Sequence, residues 1–376
     1  MERVLLFDMV MKLISSVLLA CLLMIASCVS GKQTPLEDTR IKASDARIVY
    51  IGRINKSNPD APLFTYPGVQ VVAGFEGTSL RMVAKPKSGF YMAQVDENEA
   101  FKVDYLSKED SVFVLAEGLA DAQHTVKLMY AIEGYELRPE FYGFILDPGK
   151  DLTEAPALPQ RKIEFIGNSI TCGYGIEADV ATAPFTYETE NHYYSFASLT
   201  ARALQAQHLV VARSGIGIFR NYNGPYDGTP EGAMPAVYDY TNYDDQSQLW
   251  DFTQYQPDLV CINLGTNDAS VGRFNQQKMR EAYASFLQHV RGNYPHAKIV
   301  MMSGCMLNSF RNDAVKAQLD AVVAQAQRRG DNQVYRFDFE PQDGSLGYGA
   351  SYHPSLKQQE KMANELVPFL KEIMGW

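Results

Sequence analysis

Three short segments of the chain combine a polar side chain with the end of an apolar run or the start of a helix-like segment. Ser169 follows the apolar run 163–166, Asn267 follows the run 259–264, and His353 precedes the last helix-like segment. A serine at a strand end can act as a nucleophile, because the turn exposes its hydroxyl group. An asparagine N–H can donate to a developing oxyanion, and a histidine can serve as a general base near pH 7. Together, these residue types are typical of nucleophilic catalysis.

Each of these segments also has a structural explanation. Ser169 could cap the helix that follows it, as serine often does at a strand–turn–helix junction. Asn267 and Asp268 both favour Asx turns and helix caps, and of the two we expect Asp268 to be the cap. A single histidine is usually structural, so the weight given to His353 comes from the order of the three segments along the chain.

Missing motifs argue against several other kinds of site. The glycine-rich segment 165–175 contains neither GxGxxG nor GK[ST], so it does not predict a nucleotide-binding loop. The sequence has no HExxH motif, no CxxC pair and no histidine–cysteine cluster of the kind that binds zinc. We therefore expect chemistry without a metal or another cofactor.

The periodicity of the apolar residues divides the chain into two parts. Between residues 47 and 146, short strand-like runs separated by turn residues predict an antiparallel sandwich or barrel. Past the proline-rich segment 155–159, strand-like and helix-like segments alternate, which predicts a parallel sheet covered by helices on both faces. Ligands of such sheets bind outside the carboxyl ends of the strands. We expect a β-sandwich domain at 47–150, a linker at 151–160 and an α/β domain at 161–376.

Several local predictions follow for the second part. Helical spacing is expected over 191–207, 313–329 and 355–373, and Pro368 should kink or shorten the last of these helices. The segment 223–243 is rich in Gly, Pro, Tyr and Asp, and we interpret it as a long binding loop.

Composition and charge narrow the class of protein. The 376 residues are 46% hydrophobic and 21% charged, which is typical of a globular chain. Lys and Arg number 34 against 44 Asp and Glu, a formal net charge of −10. We therefore expect no electrostatic binding to nucleic acid or to an anionic membrane surface.

The N-terminus is typical of a secretory signal. Lys12 precedes an apolar run over 13–26, which is shorter than the roughly 20 residues that span a bilayer. The run ends in Ser27 and Cys28, which resembles a bacterial lipobox whose cysteine is lipidated. We expect a signal peptide at 1–28, a polar tether at 29–46 and a lipid anchor in the bacterial cell envelope, either periplasmic or on the outer-membrane surface. A buried first helix is the alternative.

The remaining cysteines form no disulfide framework. Cys172, Cys261 and Cys305 are odd in number and far apart in the sequence, so we expect buried thiols. A disulfide between two of the three stays open at this stage.

Four segments together resemble the blocks of the SGNH (GDSL-like) hydrolase superfamily. Residues 165–175 resemble its Ser block, 213–217 its Gly block, 265–268 its GxND block and 352–354 its His block. The Ile-Thr-Cys-Gly-Tyr-Gly sequence after Ser169, with an all-β region in front, is similar to carbohydrate esterase family two. The resemblance covers residues 47–376 and implies a jelly-roll-like sandwich followed by a three-layer α/β/α hydrolase domain.

The resemblance also implies residue roles. Ser169 would be the nucleophile and His353 the base. The oxyanion hole would comprise the backbone N–H groups of Ser169 and Gly215, with Gly217 as a weaker candidate, and the side chain of Asn267. Substrate contacts are expected from three residues, although Tyr352 could instead pack its own loop: Tyr352, Arg220 and Asn221.

Two departures from the family pattern bear on the mechanism. Asn168 stands where the family usually has Asp. The superfamily often has an Asp just ahead of its His, whereas the nearest acid before His353 is Asp343. Members that lack this Asp use a Ser–His dyad whose imidazole is oriented by a backbone carbonyl, and we expect the same here. Of the other histidines, only His192 is a rival base, and we interpret the rest as non-catalytic: His124, His208, His289 and His296.

The predicted function is that of a serine esterase that removes O-acetyl groups from plant-type polysaccharides or oligosaccharides such as xylan and glucomannan. The partner would be an acetylated carbohydrate, and the membrane would be contacted only through the lipid anchor. Two alternatives are an inactive surface lipoprotein that binds glycan, and a lipase or thioesterase of the same superfamily with another acyl preference.

Overall fold

The computed structural model describes residues 39–307 and 309–376, and Arg40–Trp376 form one compact unit. The predicted signal peptide and Cys28 lie outside the described residues. Within the described part, an N-terminal β-rich region precedes a region built on a parallel sheet, as the sequence predicted. None of the described helices combines the length and the apolar character needed to cross a membrane.

The β-rich region consists of two antiparallel sheets. One has the strand order β1-β9-β4-β7, and the other has the order β10-β3-β8-β5-β6, with β2 added alongside β3. Their inner faces share one apolar core of alternating strand residues such as Phe75, Met82, Tyr91 and Phe144. The strands are β1 (Arg40–Lys42), β2 (Val49–Ile51), β3 (Gln70–Gly77), β4 (Leu80–Ala84), β5 (Phe90–Val95), β6 (Phe101–Asp104), β7 (Val112–Ala116), β8 (Ala122–Tyr130), β9 (Phe141–Leu146) and β10 (Leu152–Thr153).

The sandwich extends beyond both of its predicted limits. Strand β1 lies in the segment predicted as tether, and Arg40 pairs with Ile145 of β9. Strand β10 lies in the predicted linker, where Leu152 pairs with Phe75 of β3. Both strands are too short and too polar to be predicted from the sequence pattern. Each forms because it can pair with a longer strand at the edge of its sheet.

The α/β region contains a five-stranded parallel sheet in the order β12-β11-β15-β16-β17, and a separate hairpin formed by β13 and β14. The central strands β11 and β15 are almost entirely buried. The strands are β11 (Arg161–Gly167), β12 (Ala206–Ala212), β13 (Tyr240–Asn242), β14 (Asp245–Leu249), β15 (Leu259–Asn263), β16 (Lys298–Ser303) and β17 (Val334–Asp338).

Helices cover both faces of this sheet. Phe165 of β11 packs with Phe196 and Leu366 on one face, whereas Ile166 packs with Met279 and Leu319 on the other. Because both faces of the sheet are covered, the buried positions of the central strands are mostly apolar, and the buried polar residues there are Glu164 of β11 and Asn263 of β15. The helices are α1 (Ser169–Cys172), α2 (Phe196–Ala203), α3 (Met234–Val237), α4 (Thr266–Ala269), α5 (Gln276–Asn293), α6 (Ser309–Arg328) and α7 (Leu356–Met374).

Three local predictions need correction. The helix predicted over 191–207 is confined to α2, because Ser195 caps its start and β12 already begins at Ala206. Helix α7 continues through Pro368 to Met374 and is not shortened there. The segment 223–243 is not one loop, since it contains α3 and the whole of β13.

The two regions are joined by a buried ion pair. Arg53 precedes the sandwich strand β3, and its Nη2 lies 3.3 Å from Oε1 of Glu164 on β11, with both side chains fully buried. The guanidinium also lies over the rings of Tyr238 and Trp250. This pair links the sandwich region directly to the central strand β11 of the parallel sheet.

Candidate active site

The Ser169 hydroxyl is directed away from its own helix. Strand β11 ends at Gly167, and Asn168 caps α1 by accepting a hydrogen bond from the N–H of Ile170 at 3.1 Å. The residue that departs from the family's Asp therefore serves as the cap. Ser169 is 6% exposed, and its Oγ lies 2.8 Å from Nε2 of His353.

The His353 ring is held by main-chain atoms. Its Nδ1 donates to the carbonyl oxygen of Ala350 at 3.1 Å. The intervening Ser351 and Tyr352 both adopt left-handed backbone angles, with φ of 50° and 60°. Such conformations cost roughly 1–3 kcal/mol each and are concentrated at functional sites. Here they fold the chain back so that the carbonyl faces the imidazole.

Gly175 allows the serine and histidine loops to meet. The N–H of Ala350 donates to the Gly175 carbonyl at 3.0 Å. A Cβ on Gly175 would lie 2.3 Å from Cβ of Ala350. Any side chain at this position would therefore push the two loops apart.

No carboxylate orients the imidazole among the residues that the structure describes. Asp343, the nearest acid upstream, is exposed and accepts hydrogen bonds from the backbone and hydroxyl of Ser345. Desolvation lowers the pKa of His353 to about 4, although hydrogen bonds to the backbone of Ala350 and Ser351 act in the opposite direction. The ring is therefore neutral at pH 7, as a general base must be.

The predicted oxyanion donors lie on the loops after β11, β12 and β15. The backbone N–H groups of Ser169 and Gly215 have no acceptor within the described part of the chain. Gly215 has a φ of 78°, and its carbonyl accepts from the N–H of Tyr222 at 2.8 Å. Gly217, the weaker candidate, already donates to the Asn221 side chain. The structure thus leaves Gly215 and not Gly217 free to donate.

The Asn267 side chain is anchored to the same loop. Its Nδ2 donates one hydrogen to the carbonyl oxygen of Ile216 at 2.8 Å, which leaves the second hydrogen available. Asp268 does not cap a helix, contrary to our expectation. Its buried carboxylate accepts from the N–H groups of Ile218, Phe219 and Arg220 at 2.9–3.1 Å. Asp268 therefore shapes the loop that carries Gly215, a role that sequence spacing does not reveal.

Two of the predicted substrate contacts serve the loop instead. Arg220 is 2% exposed, and its guanidinium donates to the carbonyl oxygens of Val271 and Arg273. Asn221 donates to the carbonyl of Gly232 and accepts from Gly217. Their placement argues against direct substrate contact, because Arg220 is buried and both side chains make their hydrogen bonds within the loop.

Three tyrosines lie on the segments that carry the predicted site residues. Tyr352 is 54% exposed, and its ring also meets Tyr348 edge to face. Tyr174, which the sequence analysis did not single out, stacks on His353 with ring centroids 4.0 Å apart. Tyr222, beside Gly215, is 60% exposed. It follows directly after Arg220 and Asn221 in the stretch that the sequence predicts to line the substrate groove, and of these three residues it is the exposed one.

His192 is no competitor for the role of base. It is fully buried, with Nδ1 2.8 Å from the Thr171 carbonyl oxygen and Nε2 3.2 Å from Nε2 of His208. The other histidines lie elsewhere: His124 pairs with Asp96, and His289 with Asp239.

The three described cysteines are buried free thiols, so no disulfide joins them. In the described part of the chain, one group of side chains is close enough to consider for a metal: Glu133, Cys172 and Glu190, whose ligand atoms lie within 4.8 Å of one another. Both oxygens of Glu133 already accept hydrogen bonds from Ser214, and burial raises the pKa of the Cys172 thiol. We therefore interpret the group as a hydrogen-bonded cluster.

Each of the two regions matches a known protein family, and the chain as a whole is similar to known esterases. Residues 50–156 match the carbohydrate esterase 2 N-terminal domain, and residues 165–361 match the GDSL-like lipase/acylhydrolase family. The chain is 37% identical over 92% of its length to the cellulase/esterase CelE of Acetivibrio thermocellus, but it spans only 41% of that protein. It is 30% identical, over 97% of its length and the whole of the relative, to an acetylxylan esterase / glucomannan deacetylase of Cellvibrio japonicus.

Solved structures agree with these relatives. A family two carbohydrate esterase from Clostridium thermocellum, solved in complex with cellohexaose, is 37% identical and superposes with a TM-score of 0.80. The match covers 88% of this chain and 99% of that one.

Proposed function

The chain belongs to carbohydrate esterase family 2, and from that premise we propose that it removes O-acetyl groups from plant-type polysaccharides through a Ser169–His353 dyad. Its relatives include an acetylxylan esterase / glucomannan deacetylase, so xylan and glucomannan are the first substrates to consider. The observation that carries the mechanism is the 2.8 Å separation between Ser169 Oγ and His353 Nε2.

In the first half of the reaction, Nε2 of His353 accepts the proton of the Ser169 hydroxyl while Oγ attacks the acetyl carbonyl carbon. The carbonyl oxygen becomes an oxyanion that the N–H groups of Ser169, Gly215 and Asn267 stabilise. The carbon–oxygen bond to the sugar then breaks, and His353 returns the proton to the departing sugar oxygen. The acetyl group remains on Ser169.

In the second half, His353 accepts a proton from water, and the resulting hydroxide attacks the acetyl-serine. Acetate leaves and the proton returns to Oγ. The Ala350 carbonyl supports the imidazolium in both halves, because it accepts the Nδ1 proton at 3.1 Å. A carbonyl dipole stabilises this charge less than a carboxylate would, but it can still orient the ring.

The experiment is a panel of acetylated xylan, acetylated glucomannan and a chromogenic acetyl ester, with acetate measured and the deacetylated positions mapped. Acetate release by wild type but not by Ser169→Ala supports the proposal. Binding of polysaccharide without acetate release would instead identify an inactive glycan-binding protein. Preference for long acyl chains would identify a lipase or thioesterase.

We also propose that Cys28 carries a lipid that holds the protein in the bacterial cell envelope. The support is the apolar run over 13–26 that ends in a lipobox-like sequence. Wild type expressed in a Gram-negative host should partition with membranes, and Cys28→Ala should release it to the soluble fraction. A wild type that is already soluble would refute the anchor.

A further inference from the structure

A buried acidic pair connects the β sandwich to the loop that carries Gly215. Glu133 follows β8 of the sandwich and is 2% exposed, and Glu190 is fully buried. The backbone N–H of Glu133 donates to Oε2 of Glu190 at 3.1 Å. The adjacent Ala131 carbonyl accepts from the N–H of His192 at 2.6 Å, so the two segments run side by side.

The Glu133 carboxylate accepts from both hydrogen-bond donors of Ser214. Its Oε1 accepts from the Ser214 N–H at 2.6 Å, and its Oε2 accepts from the Ser214 hydroxyl. Ser214 directly precedes Gly215, so these bonds fix the peptide unit whose N–H serves the oxyanion hole. A carboxylate that accepts two hydrogen bonds is a strong anchor, because charged acceptors form the stronger bonds.

The Glu190 carboxyl group must be protonated to lie this close to the Glu133 carboxylate. Oε1 of Glu190 is buried and has no hydrogen-bond partner among the described residues. Two ionised carboxylates within 4.8 Å of each other in a buried site would repel strongly. Burial, together with Glu133, raises the pKa of Glu190 well above its ordinary value.

We propose that Glu133, supported by a protonated Glu190, is a positioning residue that holds Ser214 and Gly215 in the geometry that the oxyanion requires. The sandwich would thus contribute to turnover without touching the substrate. The inference rests on the proposed function. The other titratable or charged groups that face the pair are Cys172, Lys102, Arg213, Tyr130, Tyr135, Tyr187 and Tyr243.

The first test compares steady-state kinetics on a chromogenic acetyl ester. Glu133→Ala should lower kcat about 100-fold with KM within about threefold, because a small displacement of a catalytic donor has an effect of that size. Glu133→Gln should recover kcat to within about tenfold of wild type, since its amide oxygen can still accept from the Ser214 N–H. Glu136→Ala is the matched control: it lies in the same segment and accepts from Tyr187, not from Ser214. Unchanged kcat in a folded Glu133→Ala would overturn the inference.

The pH profile decides the question if Glu133→Ala does not fold. In wild type, kcat should decline at alkaline pH as Glu190 ionises and repels Glu133. Glu190→Gln is uncharged at every pH, so it should retain kcat at pH 7 and lose that decline. A wild-type profile in Glu190→Gln would overturn the inference, as would a stoichiometric divalent metal in the purified protein.

A stability measurement separates failure of this inference from failure of the proposed function. Glu190 binds its proton more tightly in the folded protein, so the free energy of unfolding should decrease as pH rises above about 4.3, the ordinary pKa of Glu. Glu190→Gln lacks this decrease. The Tm of Glu190→Gln minus the Tm of wild type should therefore increase between about pH 5 and about pH 9. A widening in a protein that hydrolyses no acetyl ester would support the proton on Glu190 while refuting the esterase. A constant difference would refute the protonated pair.

Discussion

Two serine–histidine pairs flank the short helix α1, and only one of them is arranged for chemistry. In the first, Nε2 of His353 lies 2.8 Å from Ser169 Oγ. In the second, Nδ1 of His192 lies 3.2 Å from Ser195 Oγ. Both imidazoles bond a main-chain carbonyl through Nδ1, that of Ala350 in the first and that of Thr171 in the second. Desolvation lowers the pKa of each ring to about 4.

The two pairs differ in the burial of the histidine and in the structural role of the serine. His192 is fully buried with His208 against its Nε2, and Ser195 caps α2 by accepting from the N–H of Ser198. Ser169 has Asn168 as a separate cap, and among the described residues the backbone N–H groups of Ser169 and Gly215 have no acceptor. A perturbed histidine beside a serine is therefore insufficient evidence of catalysis. A free nucleophile and free oxyanion donors distinguish the two regions.

The largest expected effect separates the two serines. Ser169→Ala should reduce kcat by roughly four to six orders of magnitude, because the nucleophile is lost. Ser195→Ala should leave kcat within about threefold and lower stability by about 1 kcal/mol through loss of a cap. Acetyl ester turnover and thermal unfolding of both variants provide the test, and comparable losses of turnover would contradict the distinction.

Substitution of the two histidines should give the same contrast between lost turnover and lost stability. His353→Ala should reduce kcat by about four orders of magnitude. His192→Ala should mainly lower the free energy of unfolding, by roughly 2–4 kcal/mol, because it opens a buried cavity and leaves the Thr171 carbonyl unpaired. If folded His192→Ala is as inactive as His353→Ala, His192 has a catalytic role that its burial does not suggest.

Removal of the oxyanion donor should have an intermediate effect. Asn267→Ala should lower kcat about 100–1000-fold with a smaller change in KM, because the lost hydrogen bond matters most in the transition state. Steady-state kinetics on a soluble acetyl ester measure the changes in kcat and KM. An equal rise in KM with kcat unchanged would instead assign Asn267 to substrate binding.

The pH dependence should report the neutral imidazole. His353 must be unprotonated to accept the Ser169 proton, so kcat/KM should fall as pH decreases through about 4, the lowered pKa of His353. Below about pH 4, kcat/KM should decrease about tenfold per pH unit. Initial rates must be taken before acid unfolding begins. An acid limb near the ordinary histidine pKa of about 6.5 would show that the ring is solvated in the free enzyme.

The smallest expected effect is at Asp343. Asp343→Asn should leave kcat within about twofold, since its carboxylate is occupied by Ser345 and makes no contact with His353. Loss of an orienting Asp in a triad costs about four orders of magnitude. A loss of that size here would mean that Asp343 reaches the imidazole during turnover.

Sequence patterns predicted the architecture and the three segments that carry Ser169, Asn267 and His353, because strand ends of a parallel sheet converge on one edge wherever the intervening helices lie. They missed contacts that depend on how loops fold back. Asp268 was taken for a cap, yet it binds the backbone N–H groups of residues some fifty positions upstream. Arg220 was taken for a substrate contact because it follows the Gly block, but its guanidinium is turned inward.

The central claim, that Ser169 and not another serine is the activated nucleophile, is tested most directly by labelling wild type with a fluorophosphonate and mapping the modified peptide. The serine oxygen forms a bond to phosphorus and fluoride leaves, so only an activated hydroxyl reacts efficiently. The account predicts a label on Ser169, greatly slowed in His353→Ala and absent from Ser195. A label on Ser195, or labelling of Ser169 at an unchanged rate in His353→Ala, would contradict it.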